Sequence, residues 1–201
     1  MNSSASRLNR RQFLRTSATA TLFGGLVISR GLGQTTAASN KVRVALIGSG
    51  GMGRGDLDTF FLNPEVECPI VCDVDDRMIA EASKLVEQRR GKRPDSTREF
   101  ERVLDRKDVD AVIVATPDHW HALPTVLACQ AGKDVYVEKP LATSVREGRA
   151  MITAAREHQR VVQMGTQWRS GRHFAEAVEV VRSGKLGKVS LTRGWAYHDW
   201  L

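Results

Sequence analysis

Residues 42–55 read VRVALIGSGGMGRG, and Asp73 follows twenty residues after Gly53, inside VCDVDD. The reading of this stretch decides the fold. A β-branched apolar run (Val42, Val44, Leu46, Ile47) breaks into Gly48-x-Gly50-x-x-Gly53 and then a helix-compatible segment. Gly48 permits a tight turn out of a strand, Gly50 lets backbone approach a pyrophosphate, and Gly53 lets the next helix pack closely on the strand. Gly51 and Met52 complete the turn. The pyrophosphate would sit at the helix N-terminus, where free N–H groups and the helix dipole favour an anion. Asp73 follows a second apolar run, Val66 to Val71, and would accept hydrogen bonds from a ribose 2′-hydroxyl. A lone glycine pattern also occurs in turns that bind nothing. Strand before, helix after and an acid at this distance together specify dinucleotide binding. A carboxylate at position 73 repels the 2′-phosphate of NADP, so NAD is the expected cofactor. Arg77 is the nearby feature that favours NADP.

Working outward, the pattern predicts strands at 42–47, 66–72, 111–115, 134–137 and 161–164. It predicts helices at about 52–62, 75–90, 98–105, 120–131, 144–158 and 172–183. The strands are continuous apolar runs, which indicates burial on both faces of a parallel sheet. The expected class is therefore α/β, a doubly wound Rossmann sheet. Polar residues follow the strands: Gly48, Asp73, Thr116 and Glu138, with Gln163 near the end of the last. That sheet edge is where such folds bind ligands. Arg89 to Asp95 is a basic, breaker-rich segment that reads as a solvated connection. Gly184 to Lys188 reads as a turn, and Val189 to Ala196 as a new strand opening a second α/β domain. The domain reading is 1–40 as presequence, 41–165 as the nucleotide domain and 166–201 as the start of an incomplete second domain.

The first 40 residues contain five arginines (Arg7, Arg10, Arg11, Arg15, Arg30) and no acid. Fourteen mildly apolar residues lie between Arg15 and Arg30, short of the ~20 that a transmembrane helix needs. Asn9-Arg10-Arg11-Gln12-Phe13-Leu14-Arg15 resembles a twin-arginine export signal. This implies passage through the twin-arginine translocase and a periplasmic or envelope location. The other reading is a basic tail. The net charge of +7 falls mostly here, because residues 41–201 carry 25 basic against 23 acidic side chains. No basic stripe with interleaved aromatics appears, so nucleic acid is not an expected partner. The cysteines, Cys68, Cys72 and Cys129, have no metal-ligand spacing. Cys68 and Cys72 would lie roughly 13 Å apart along a strand, too far for a disulfide. All three read as small buried apolar residues.

Five motifs then occur in order: GSGGMG, ATPDHWH, GKDVYVEKPLA, MGTQWR and SGKLGKV. Their succession resembles the glucose–fructose oxidoreductase / inositol dehydrogenase (Gfo/Idh/MocA) family over residues 42–201. The resemblance implies an N-terminal Rossmann domain and a C-terminal α/β domain with an open sheet. It also implies NAD(P)-dependent hydride transfer on sugars, cyclitols and their derivatives. It puts Gly48, Gly50 and Gly53 on the pyrophosphate and Asp73 on the adenosine ribose. It puts Thr116, Pro117 and His121 beside the cofactor, and Glu138 and Lys139 near the nicotinamide. It also sets Arg169 near the substrate site, after the sixth strand. Assembly in this family commonly uses the sheet of the second domain, so a homo-oligomer is implied through that domain. The chain departs from the family in lacking the later Asp-x-x-x-His pair, whose histidine serves as acid/base.

Lys139 is the expected catalytic residue. Removing hydride from a secondary alcohol requires the O–H proton to leave, and a lysine beside the cofactor can take it or stabilise the alkoxide. Pro140 would fix the backbone behind it, and a proline also admits a cis bond. Plainer readings stand beside these. His121 could cap or pack, and His119 and Trp120 read as packing or loop residues. Asp75 and Asp76 would favour the start of the next helix. Gln163 and Gln167 would bond substrate or merely satisfy backbone groups. Trp195, Tyr197, His198 and Trp200 would line a sugar pocket or begin a sheet core.

Three functions compete at this stage. The first is an exported NAD-dependent sugar or cyclitol dehydrogenase with tightly held cofactor. The second is an NAD-dependent glycosidase of the same family, which oxidises a sugar hydroxyl transiently. The third is a truncated, non-catalytic nucleotide-binding protein.

Overall fold

The alternation of buried apolar runs with amphipathic segments produces a sheet in which every strand pairing is parallel. The computed structural model describes residues 41–194 apart from Trp168. The strands are β1 (Val42–Ile47), β2 (Val66–Glu67), β3 (Ile70–Cys72), β4 (Asp95–Thr97), β5 (Ala111–Val114), β6 (Asp134–Val137) and β7 (Val162–Met164). The helices are α1 (Gly51–Phe60), α2 (Asp76–Arg90), α3 (Phe100–Leu104), α4 (Ala122–Gln130), α5 (Val145–Glu157) and α6 (Arg172–Arg182). The strand order is β4-β3-β1-β5-β6-β7, with β2 also pairing β1. Chain direction across the sheet reverses between β1 and β5, which makes that junction the topological switch point.

Alternation along β1 builds two cores. Val44 and Leu46 join Leu57 of α1, Ala82 and Val86 of α2, Val71 and Ile113 on one face. Ala45 and Ile47 join Val103 of α3, Ala128 and Cys129 of α4, and Met151 and Ala154 of α5 on the other. A one-residue slip of β1 would exchange the two sets, so the register Leu46↔Ile113 and Ile47↔Val114 is well specified. Ser144 starts α5 with a capping box, its side chain accepting from the Glu147 N–H while the Glu147 carboxylate accepts from the Ser144 N–H. Asp75 caps α2, accepting from the Arg77 N–H at 2.8 Å. The three cysteines are buried with free thiols. Burial pushes Cys68 and Cys72 up to about 12, which leaves them unreactive.

The structure departs from the sequence reading in three places. The run 66–72 is two short strands, because Pro69 has no N–H to give the ladder. Asp95–Thr97 forms an edge strand inside what reads as a solvated connection. Its residues are polar and mostly exposed, so no apolar run announces it. Residues 189–194 form no strand, and among the described residues no neighbour pairs with them. The presequence and the aromatics Trp195, Tyr197, His198 and Trp200 lie outside the described residues.

Candidate functional site

The site is built where the strands end. Ladder hydrogen bonds continue just past them: Gly48 N–H to Cys72 O, Ala115 N–H to Ile47 O, Glu138 N–H to Val114 O and Gly165 N–H to Val137 O, at 2.7–2.9 Å. Residues 48, 115, 138 and 165 are thereby set on one edge, and the loops that follow them make the site.

Gly48 has φ +92°, and a Cβ there would lie 2.5 Å from the Ala115 carbonyl carbon and oxygen. A Cβ on Gly53 would overlap Gly48 O, while Leu46 and Ala115 would crowd it at 3.1 Å. These two glycines let helix and strand meet. Gly50 and Gly51 differ, since a Cβ on either meets nothing within 4 Å. They leave open space over the N-terminus of α1, which is a cradle a phosphate fits. Met52, the next residue, is exposed.

Asp73 fixes this turn from the end of β3. Its Oδ2 accepts the Ser49 N–H at 2.7 Å and its Oδ1 the Asp75 N–H at 2.9 Å. The Ser49 hydroxyl donates to Cys72 O at 3.1 Å, and Ser49 is wholly buried. Beside Asp73 opens a cavity of about 230 Å³, walled by Val74, Phe100, Pro117, Trp120 and Pro124, with Thr116 and His119 on its lining. Phe100 and Trp120 meet edge to face at 6.3 Å. The Thr116 hydroxyl is buried and has no hydrogen-bond partner, an orphan that a bound polar group would satisfy. Arg77 is turned to Asp75, and Arg98 to Val74 O, with Asp76 at 3.9 Å. Open cradle, apolar slot and orphan hydroxyl together fit a dinucleotide.

His121 is placed differently from its neighbours. It is 1% exposed, with Nδ1 2.6 Å from Pro140 O and Nε2 2.9 Å from Thr116 O. It clamps the loop after β5 to the loop after β6 rather than lining the cavity. His119 and Trp120, which read as packing or loop residues, line the cavity instead. No spacing rule distinguishes these three residues in the sequence.

Glu138 is 4% exposed. Its Oε2 accepts from the Lys139 N–H at 3.2 Å and from the Gln167 side-chain amide at 2.9 Å. The Lys139–Pro140 peptide is cis. Lys139 is exposed. Arg169 is exposed in the loop after β7. Glu138, Lys139 and Gln167 therefore meet in one place, next to the strand that carries Thr116.

A family model described as "Oxidoreductase family, NAD-binding Rossmann fold" matches residues 42–166. The chain is 30% identical over 203 residues to a glycosyl hydrolase family 109 protein of Shewanella pealeana, covering 91% of this chain and 44% of that protein. It is 30% identical over 162 residues to a levoglucosan dehydrogenase of Pseudarthrobacter phenanthrenivorans, covering 79% and 42%. Among solved structures, GenD2 from gentamicin A biosynthesis in complex with NAD superposes with a TM-score of 0.66 at 27% identity, over 77% of this chain and 42% of that one. The chain thus spans less than half the length of these relatives. Its described sheet is an NAD-binding Rossmann domain.

Proposed function

The chain belongs to the Gfo/Idh/MocA oxidoreductase family, and from that premise we propose that it transfers a hydride between NAD and a secondary hydroxyl of a sugar, cyclitol or derivative. One observation carries this reading. The glycine turn, Thr116 and Lys139 follow three adjacent parallel strands at a single sheet edge. Bound NAD supplies the hydride acceptor. The rest falls to the chain's own residues. The N–H groups opening α1 hold the pyrophosphate, and Asp73 accepts from the ribose while keeping the turn in shape. The apolar slot between Trp120 and Phe100 takes a flat base. Lys139 removes the substrate's hydroxyl proton as hydride leaves, or holds the alkoxide. Glu138 and Gln167 fix the lysine's backbone, and Arg169 reaches toward substrate.

A second reading, an NAD-dependent glycosidase, is favoured by the glycosyl hydrolase family 109 relative, which is matched over nine-tenths of this chain. In that case the same lysine serves a transient oxidation, and hydride returns to the product. The arginine-rich presequence supports export through the twin-arginine translocase with NAD already held. Residues 166–201 then lead into a substrate domain that would also carry assembly.

The test is to purify the chain, identify bound nucleotide by mass spectrometry, and screen sugars, cyclitols and aryl glycosides. Substrate-dependent appearance of reduced nicotinamide supports the dehydrogenase. Aglycone release without net reduction supports the glycosidase. NAD binding with no turnover of any compound leaves a nucleotide-binding protein. Failure to bind NAD rejects all three.

A further inference from the structure

Ser49 stands between the first two glycines of the turn, and each of its polar groups is held. Its N–H donates to Asp73 Oδ2 at 2.7 Å and its hydroxyl to Cys72 O at 3.1 Å. Its carbonyl accepts from Arg54 Nη1 at 2.8 Å. Arg54 lies one residue beyond Gly53 on α1 and has no part in the hydride chemistry above. Its guanidinium is not left in solvent. Nη2 pairs with Glu81 of α2 at 2.7 Å, and Nη1 also lies 3.5 Å from the Met78 sulfur. The arginine side chain is 25% exposed, against 55% for its carboxylate partner. A planar fork fixed on one arm has its other arm aimed, which the flexible ammonium of a lysine would not be.

The consequence falls on the next peptide. Among the described residues only Lys139–Pro140 is cis, so the Ser49–Gly50 peptide is trans. Its C=O and N–H therefore point in opposite directions. With Ser49 O turned to Arg54, the Gly50 N–H is turned away from that arginine. Among the described residues this N–H has no acceptor, and the space outside Gly50 is open. Asp73 fixes the peptide before Ser49 and Arg54 fixes the one after it.

We propose that Arg54 is a positioning residue for the cofactor: by holding Ser49 O it aims the Gly50 N–H at the pyrophosphate. A glycine peptide left to itself turns freely, because no Cβ restricts it. Close approach of a phosphate requires glycine at position 50, and Arg54 restores the rigidity that glycine removes. The inference rests on NAD being gripped at this turn, and not on which substrate is oxidised. Charge alone is the competing account, since a guanidinium near a helix N-terminus attracts a pyrophosphate whatever it holds. Glu81 separates the two accounts. Removing its carboxylate leaves the arginine more positive in effect but less firmly aimed, so charge predicts tighter binding and positioning predicts weaker.

The test uses the full 201-residue chain and three probes: NAD, ADP and adenosine, the last with base and ribose but no phosphate. Arg54→Met keeps the apolar stem and removes the donor. NAD and ADP should each bind about tenfold more weakly, while adenosine binds as before. Equal losses for all three would mean a general loosening of the domain and would overturn the proposal. In NMR spectra of the ligand-free variant the Gly50 amide should move, and an unmoved Gly50 amide would overturn it too. Glu81→Gln, at an exposed position, decides the matter if Arg54→Met does not fold. NAD should then weaken about threefold, and unchanged or tighter binding would overturn the proposal. Wild-type protein that binds no NAD would reject the cofactor reading and this one with it. That result differs from wild-type binding that Arg54→Met leaves intact, which rejects the role of Arg54 alone.

Discussion

Asp73 and Ser49 are joined across the mouth of the dinucleotide turn, the carboxylate of one accepting the backbone N–H of the other at 2.7 Å. The acid that reads as a ribose contact therefore also holds the turn that receives the pyrophosphate. Asp73→Ala should weaken NAD binding through both losses, by about 2 kcal/mol or roughly 30-fold in Kd. Because the repulsion toward a 2′-phosphate disappears, NADP should lose much less affinity. Calorimetric titration with both nucleotides checks this, and equal losses for the two would argue against it.

The glycines of one motif should separate cleanly by experiment. Gly50→Ala adds a methyl group to open space, so the thermal midpoint should hold while NAD binding falls at least tenfold. Gly53→Ala drives a Cβ into Gly48 O and should destabilise the fold by about 3 kcal/mol. Paired denaturant melts and NAD titrations distinguish a cradle from a packing contact.

His121 should behave as structure rather than chemistry. His121→Ala removes the buried ring that bridges the Thr116 and Pro140 carbonyls and opens a cavity, at a cost of about 3 kcal/mol in urea melts. Because it ties the Thr116 and Pro140 loops together, the Lys139 amide resonance should shift as well.

The Asp56 carboxyl has a folded-state affinity for protons above its unfolded one, about 6 against 3.8. Native protein therefore binds more protons across that window, and this group's contribution to stability falls as pH rises from about 4 through 6. Asp56→Asn removes the term. Relative to wild type, the variant should gain stability with rising pH and level off above about 7, by about 1 kcal/mol once solvent screening of a half-exposed group is allowed for. Thermal melts of the two proteins over that range measure the difference directly. A constant offset would contradict the assignment.

Much of this was legible in the residues. β1, the glycine turn and Asp73 follow from apolar runs and residues whose backbone demands are local. α2 is announced by Asp75 at its start. The edge strand Asp95–Thr97 was not legible, because its stability comes from pairing with β3 and not from its own side chains. The break at Pro69 was visible as a residue, yet the apolar run around it outweighed it. The site divides the same way. Glycines, acid and lysine are singled out by their chemistry and spacing. The clamp of His121 arises only when the loops after separate strands are brought together.

The parallel ladder also acts as a ruler. Neighbouring strands stand ~4.8 Å apart, so the ends of β1 and β6, with β5 between them, are set about 10 Å apart across the sheet. The span between the glycine turn and Lys139 is thus graduated in whole strands. Along a strand the graduation is about 3.3 Å per residue, with every step also reversing the side chain's face. A one-residue insertion in β6 would not nudge Lys139 but displace it by a full mark and turn it away. Such a scaffold tolerates change in its loops and allows almost none in the lengths of its strands.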